Sequence, residues 1–141
     1  MKTYSSSEVN VNFAGLDLAG GRGEDEFLRI EPMAESYETV VGVDGSVTRC
    51  QSNDRRVRVT LIVMGSSKTN DILSAIHKGD IETAGGKGIA PFMARDNGGT
   101  SLIIEPEAFI VGYPKQAKGK KPGTNEWVIE CPSPQMHVGG N

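Results

Sequence analysis

Histidine and cysteine, which carry much enzyme catalysis and transition-metal binding, are few in this sequence and widely separated. The 141 residues contain two histidines, His77 and His137, and two cysteines, Cys50 and Cys131. HExxH, paired CxxC and EF-hand motifs are all absent. No GxSxG motif marks a nucleophilic serine, and a Ser/His/Asp or Cys/His set could be assembled only by free choice. The sequence therefore predicts a protein that is not an enzyme, with no metal and no cofactor.

Charged residues are more informative, because two clusters of opposite sign lie on separate predicted loops. We call them the acidic corner (Glu24, Asp25, Glu26) and the basic loop (Lys115, Lys118, Lys120, Lys121). The acidic corner could bind a metal or a partner, and each cluster could equally be a solvated loop. Residues 1–45 hold nine acids and three bases, a net charge of −6, and the remainder holds nine acids and twelve bases, or +3. This split favours electrostatically matched self-association over general nucleic-acid binding.

Two glycine-rich stretches are weak matches to phosphate-binding loops. The first, GGRG at residues 20–23, lacks the Lys-Ser/Thr pair that supplies the charge and the magnesium ligand of a P-loop. The second, GGKG at residues 85–88, is more typical of a mobile surface loop. We expect neither stretch to bind a nucleotide.

The strongest structural signal is a strand followed by a helix at residues 55–77. Apolar residues at every second position from Val57 to Val63 have the period of a strand with one face in the core. The other face begins charged and ends apolar, so the far half of the strand should be covered on both sides. Gly65 should end the strand, and a short helix should follow and close at residues 78–79. The predicted apolar stripe of this helix consists of Ile72, Leu73, Ala75 and Ile76.

Alternation elsewhere predicts further strands joined by tight turns. Asp44-Gly45 lies between two β-prone segments within residues 39–50, which predicts a hairpin with a two-residue type I′ turn. Residues 96–99 should form the turn of a second hairpin, between 90–95 and 101–104. Other strands are predicted at 8–13, 27–30, 108–113 and 126–131. The residues after Pro132 should form a polar tail.

Length and composition favour a single mainly β domain spanning residues 1–141. The 18 glycines and 7 prolines indicate many turns rather than long helices. The longest apolar run, residues 61–64, is far short of the ~20 residues that span a bilayer, and the N-terminus lacks a signal-peptide core. We therefore expect a soluble protein made in a cytoplasm, without a membrane partner. Cys50 and Cys131 are predicted to be reduced core thiols, with a disulfide as the alternative.

Five stretches, taken in order, resemble the tail tube proteins of contractile-tailed bacteriophages. They are TYSSSEVNV (3–11), EDEFLRIEPMAESYETV (24–40), VGVDGSVTRCQS (41–52), VRVTLIVMGSSKTNDILSAI (57–76) and GTNEWVIEC (123–131). The most specific parts are SSKTNDIL at residues 66–73 and the block at 123–131, whereas the Gly-rich and Lys-rich loops match only loosely. The resemblance spans most of the chain.

The resemblance implies a β-sandwich or half-barrel of two packed sheets with one flanking α-helix. Each subunit would contribute strands to a shared barrel in a hexameric ring, and rings would stack into the inner tail tube through which DNA is ejected. Four strands from each subunit, ~24 in all at ~4.8 Å spacing and ~40° tilt, close at a diameter of roughly 45–50 Å. That bore admits a DNA duplex. The family has no catalytic residues to carry over.

The resemblance also implies partners and a location. The partners would be the tail sheath protein, the tail terminator and baseplate proteins, and the tape measure protein and DNA in the lumen without sequence-specific binding. The subunit would be assembled in the host bacterial cytoplasm and reside in the virion tail. The tube of a secretion system or of a pyocin-like device is a related alternative, and a β-sandwich module that binds sugar or peptide, or a small enzyme, represents other classes.

Within the tube interpretation, the charged clusters predict an interface between neighbouring subunits. A head-to-tail contact joins two different patches of the same protein, so opposite charges on separate loops favour it. We expect the acidic corner of one subunit to meet the basic loop of the next, rather than its own basic loop.

Overall fold

The structure is a computed structural model that describes residues 1–18, 22 and 26–140. These residues form one short 3-10 helix (Ser6–Glu8), one α-helix, α1 (Thr69–Glu82), and ten strands: β1 (Val9–Phe13), β2 (Leu16–Asp17), β3 (Leu28–Pro32), β4 (Tyr37–Val41), β5 (Val47–Gln51), β6 (Val57–Met64), β7 (Ala90–Asp96), β8 (Leu102–Ile110), β9 (Thr124–Cys131) and β10 (Gln135–His137). Strands hold 43% and helices 13% of the described residues. The predicted mainly β class, with two sheets and one helix, is confirmed.

The larger sheet has eight strands, and the smaller one is the β4–β5 hairpin. The order in the larger sheet is β2-β1-β7-β8-β9-β6-β3, with β10 pairing on β8. Strand β8 passes from one half of this sheet to the other: near Leu102 it pairs with β7 and β10, and at Ile110 it pairs with β9. Its register with β7 shifts between Glu105 and Ala108, around Pro106. One core cluster contains residues from both halves, so the sheet folds over a single core.

The predicted strand at the centre of the chain is β6, and its buried face is as expected. Its first residue, Val57, and every second residue up to Val63 belong to the core cluster. Ile62 on the second face is also buried, which confirms that the far half of the strand is covered on both sides there. Met64, the last residue of β6, is 43% exposed, so the second face of the strand is no longer covered at that position. Three buried residues of β9 face the same core: Trp127, Ile129 and Cys131.

Helix α1 differs from its prediction in length and in the face that it buries. It continues through Gly79 to Glu82, because an isolated glycine costs a helix only about 1 kcal/mol and does not end it. The buried residues are Thr69, Leu73 and His77, spaced four apart, whereas Ala75 is exposed. His77 therefore lies inside the helix with its ring edge on Tyr113, 4.6 Å between centroids, rather than at a helix end.

The loop after α1 contains the second glycine-rich stretch and is held by Asp80. The carboxylate of Asp80 accepts hydrogen bonds from the backbone N–H groups of Lys87 and Gly88, at 2.9 and 2.8 Å. A Cβ at Gly88 would lie 2.6 Å from the Asp80 side chain, so the close approach requires glycine there. The glycines of this stretch therefore serve the packing of the loop. The other stretch, at residues 20–23, lies outside the described residues except for Arg22.

Both predicted hairpins are present, but the type I′ turn is not where the sequence placed it. Ala14 and Gly15, between β1 and β2, have φ of 56° and 79°, as a type I′ turn requires at both positions. Between β4 and β5 only Gly45 has a positive φ, and the N–H of Gly42 donates to the carbonyl of Ser46. That connection is a three-residue loop, so the predicted two-residue turn at Asp44-Gly45 is wrong.

The C-terminal residues are not only a polar tail, because Gln135–His137 form strand β10. Glu105 on β8 holds the turn that precedes this strand. Its buried carboxylate accepts hydrogen bonds from the backbone N–H groups of Glu107 and Ser133, at 3.0 and 2.9 Å. A three-residue strand with every residue exposed has no periodic signal, so alternation could not reveal it.

The two cysteines have different environments, and neither forms a disulfide. Cys131 is a core thiol as predicted, but Cys50 is exposed on β5, so its placement in the core was wrong. Burial, together with the carboxylates of Glu105 and Glu130, raises the pKa of Cys131 to about 12. The thiolate that reacts with disulfide reagents is therefore scarce at Cys131 near pH 8.

We expect the native protein at pH 8 to react with one equivalent of a thiol reagent such as DTNB, at Cys50. Cys131 should react only after unfolding in denaturant, because it is both buried and protonated. Absorbance at the release of the thiolate product measures both phases. The Cys50→Ser variant should show no rapid phase, and a rapid phase in that variant would contradict the assigned burial of Cys131.

Candidate assembly surface

The β4–β5 hairpin, which we call the arm, extends from one end of the larger sheet. It continues the β3–β6 pairing beyond Pro32 and Val57, where the N–H of Met33 donates to the carbonyl of Arg56 at 3.0 Å. Further out, the N–H of Ser52 donates to the carbonyl of Ser36 at 2.8 Å, and five residue pairs follow. The base of the arm is therefore held by backbone hydrogen bonds to the body of the protein.

Every residue of the two arm strands is exposed, and this includes the valines. Val41 and Val47 are paired across the strands and are each 65% exposed, and Val43 in the loop is fully exposed. An isolated two-stranded hairpin is only marginally stable in water, and natural β proteins usually cover or charge such surfaces. The arm thus presents apolar surface that the described residues of its own chain do not cover.

Polar contacts order the arm along one face and at its loop. The guanidinium of Arg49 lies 4.2 Å from the ring centroid of Tyr37, a cation–π contact on the same face as Val41 and Val47. At the loop, the carboxylate of Asp44 accepts hydrogen bonds from the hydroxyl and the N–H of Ser46, which lower the pKa of Asp44. Asp44 therefore remains charged at neutral pH at the tip of the arm.

Between the arm and β6 the chain forms a turn that is held by contacts between Asp54 and Arg56. Arg56 donates to the carboxylate of Asp54 through its Nε and Nη2 atoms, both at 2.9 Å, and through its backbone N–H at 3.2 Å. These contacts lower the pKa of Asp54 to about 2. The ion pair of Asp54 and Arg56 lies at the surface, so it stabilises the fold only slightly. That stabilisation is complete above 3.8, the ordinary pKa of an aspartate, and is lost as the pH falls towards 2.

The residues of the predicted charged interface are placed only in part. Glu24 and Asp25 lie outside the described residues. Glu26 is described, and its carboxylate accepts a hydrogen bond from the Nε of Arg29 at 2.6 Å. All four lysines of the basic loop are exposed between β8 and β9, and none forms an ion pair within the described ranges.

Glu26, the one described residue of the acidic corner, and the basic loop precede strands that begin at the same end of β6. These strands are β3 and β9, the two neighbours of β6, with Leu28 opposite Leu61 and Thr124 opposite Met64. Strands about 4.8 Å apart place β3 and β9 roughly 10 Å from each other across β6. Glu26 could therefore attract the basic loop of its own subunit as well as that of a neighbour. The contact between subunits stays a prediction.

Asn70, at the start of α1, anchors the end of the basic loop. Its Oδ1 accepts hydrogen bonds from Trp127 Nε1 and Asn125 Nδ2, both at 3.0 Å, and its own amide donates to the carbonyls of Met64 and Ser67. Its contacts join residues 55 and 57 positions apart, which no local pattern reveals.

The larger sheet has three strands with a free edge that could pair with another chain. They are β2, with two residues, β3, with five, and β10, with three, and each pairs with only one other described strand. Unpaired N–H and C=O groups along such an edge are a template for strand addition.

Within residues 1–18, 22 and 26–140, no group of three or more His, Cys, Asp or Glu side chains could hold a metal ion, and no helix is long and apolar enough to cross a membrane.

One sequence relative of this chain is a phage structural protein. No protein-family model matches the chain. The chain is 28% identical over 144 residues to "Structural protein ORF10" of Pseudomonas phage KPP10, an alignment that covers 99% of this chain and 83% of that protein. It is a homologue of a phage structural protein.

Solved structures share the fold at low sequence identity. A chain of the anti-feeding prophage cap, described as a tube-terminating cap, matches with a TM-score of 0.57 at 9% identity, covering 98% of this chain and 93% of that one. A chain of the PVC sheath/tube terminator in the extended state, from an extracellular contractile injection system, matches with a TM-score of 0.58 at 12% identity, covering 98% and 99%. The eight-stranded sheet with its helix is thus a fold that such structures contain.

Proposed function

We propose that this chain is the tube subunit of a contractile phage tail. Six copies close into a ring, and rings stack into the inner tube through which DNA is ejected. The observation that carries the proposal is the arm, in which ten strand residues and a three-residue loop project from the body without cover. Such a projection is stable and soluble when another molecule covers it, and in a polymer each copy covers the next.

Three further observations support the proposal. The free edges of β2, β3 and β10 allow neighbouring subunits to share a sheet, as a closed barrel requires. The homologue is a phage structural protein, and the fold is shared with tube-terminating chains of contractile systems. In this role the protein is not an enzyme, and its partners are the tail sheath, terminator, baseplate and tape measure proteins, with DNA passing through the lumen.

A tube terminator is the second candidate, because both structural neighbours have terminating roles. A terminator forms a ring that closes the end of a tube, whereas a tube subunit stacks ring upon ring. A monomeric sugar-binding or peptide-binding module, the alternative from another class, would form neither. Assembly state therefore separates all three candidates in one measurement.

The purified protein is expected to form rings and stacked tubes as its concentration rises. Six subunits of 15.1 kDa give a ring of about 91 kDa. Light scattering coupled to gel filtration measures the ring mass, and negative-stain microscopy shows whether rings stack. Single rings that never stack would favour a terminator, and a 15.1 kDa monomer at every concentration would contradict both ring-forming roles.

We propose further that the acidic corner of one subunit contacts the basic loop of its neighbour. Each exposed pair contributes only ~0.2–1 kcal/mol, but repetition around rings and along a tube could fix register and polarity. Added salt should therefore weaken polymerisation without lowering the melting temperature of the subunit. This proposal competes with pairing inside one subunit, since Glu26 and the basic loop lie at the same end of β6.

Charge reversal tests this contact. Changing the four lysines of the basic loop to glutamate should block assembly, and changing Glu24, Asp25 and Glu26 to lysine in the same chain should restore it. Mixing the two single-cluster variants separates the possibilities, because contacts between subunits can form in the mixture and contacts within a subunit cannot. If neither the combined variant nor the mixture assembles better than the single variants, the two loops are not partners.

A further inference from the structure

An apolar cleft of about 510 Å³ opens beside the free edge of β3. One wall is β3 itself, with Leu28 and Ile30 only half-buried. The opposite wall includes Ile103 on β8 and Met136 on β10, and Met136 is 41% exposed. Leu28 and Ile30 also pack against the core cluster, so the cleft is a place where the core reaches the surface.

The arm carries the apolar surface that such a cleft would cover. Val41 and Val47 lie side by side on one face, and Val43 in the loop beyond them is fully exposed. At about 510 Å³ the cleft is large enough to receive several aliphatic side chains. Burying these valines would remove apolar surface from water on both partners.

The arm of a chain points away from the cleft of the same chain. The cleft lies along β3, whereas the arm continues outward from the end of that strand, beyond the hydrogen bond between Met33 and Arg56. Ten residues separate Met33 from Val43, about 30 Å of extended backbone at ~3.3 Å per residue. For the tip to fold back onto β3, the backbone hydrogen bonds at the base of the arm would have to break. A second copy avoids that cost.

Charges at the two surfaces are also complementary. Asp44 at the tip of the arm is negative, and Arg95 on the cleft is exposed and forms no ion pair with any described residue. Arg49 on the apolar face of the arm would meet a rim that includes Glu26 and Asp96. Opposite charges around an apolar centre favour one orientation of the arm.

We propose that this cleft is the receiving site for the arm of a second copy of the chain. The proposal rests on the self-assembly proposed above and names its two contact surfaces. Because the arm and the cleft are different patches, the contact is head-to-tail and propagates from copy to copy into a ring or a stack. Every copy then has its arm covered and its cleft filled, apart from those at an open end.

Two variants with opposite defects test the contact. The arm variant carries Val41→Asp and Val43→Asp, and the cleft variant carries Met136→Asp and Val138→Asp, all at exposed positions. Each variant alone should remain a monomer of 15.1 kDa where the wild type assembles. An equimolar mixture should form a pair of about 30 kDa, because the intact arm of one variant can enter the intact cleft of the other. Ile81→Asp, at an exposed position on α1, is the matched control and should assemble as the wild type does.

The possible outcomes separate this inference from the proposed function. If the cleft variant assembles like the wild type while the arm variant does not, the arm docks elsewhere and the cleft serves another occupant, which overturns the inference alone. Failure of the mixture to pair also overturns it. A wild-type protein that stays monomeric at every concentration overturns both proposals. Far-UV circular dichroism and thermal melting confirm that each variant is folded.

Cross-linking provides a second measurement that does not depend on blocking assembly. In a Cys50→Ser background, Val43→Cys combined with Met136→Cys should give disulfide-linked dimers and higher species under an added oxidant. Val43→Cys combined with Ile81→Cys is the control and should give at least tenfold less product. Equal cross-linking in the two variants would place the tip of the arm outside the cleft.

Discussion

Leu61→Ala is expected to lower the free energy of unfolding by ~2–5 kcal/mol. Leu61 is 3% exposed at the centre of β6, between Leu28 on β3 and Trp127 on β9. It shares the core cluster with Leu73, and Ile76 of α1 packs against that cluster, which confirms the predicted common core of strand and helix. Removing three carbon atoms there leaves a cavity that neighbouring strands cannot close, because their backbones are held in register.

The matched control is Met64→Ala on the same strand. Met64 is 43% exposed, so its truncation should cost less than ~1 kcal/mol. Urea denaturation monitored by Trp127 fluorescence measures both changes, under conditions where the subunit is monomeric. A loss below ~1 kcal/mol for Leu61→Ala would show that this face of β6 does not form the core.

Glu105→Ala is expected to destabilise the protein by ~2–4 kcal/mol, although it removes a charged residue from the interior. The carboxylate accepts hydrogen bonds from two backbone N–H groups. One belongs to Glu107, two residues further along β8, and the other to Ser133, 28 residues away in the turn after β9. A buried donor left without an acceptor costs about 1–3 kcal/mol. Loss of the second bond should also release the turn between β9 and β10.

Two further variants separate the hydrogen bonds from the charge. Glu105→Gln keeps one acceptor oxygen, so its unfolding free energy should lie between those of the wild type and Glu105→Ala. Glu107→Ala, two residues away on the exposed side, should change stability by less than ~0.5 kcal/mol, since only its backbone N–H takes part. Hydrogen exchange at the Ser133 amide reports the bond directly, and unchanged protection in Glu105→Ala would contradict the assigned role.

The difference between Glu105 and Leu61 illustrates how far the sequence could predict the structure. The burial of Leu61 follows from alternation along one strand, which is a local property. Glu105 stands at a bulge beside Pro106, where the alternation breaks, and its partner Ser133 belongs to a later turn. A charged residue at such a position is normally assigned to the surface.

The candidate site was less predictable than the fold for the same reason. The sequence located the hairpin at residues 39–50 but could not show that its valines are uncovered, since exposure depends on where the rest of the chain lies. The sequence did offer one indication of an exposed apolar surface. Adjacent valines such as Val40 and Val41 place apolar side chains on both faces of the hairpin near its turn. The charged clusters are evident in the sequence, yet only the register of β3, β6 and β9 shows that Glu26 and the basic loop lie at one end of the sheet.

The sequence by itself determined the mainly β class, the strands β1 and β9, the core face of β6, and the lack of any motif for catalysis, because these depend on residue types and on a period of two along the chain. Tertiary structure alone decided that β10 pairs with β8, that His77 is buried within α1, and that an apolar cleft opens beside β3. It also decided that the arm stands free of the body. Each of these depends on which distant segments meet, and the pairing of distant strands is set by the packing of the whole core rather than by any local pattern.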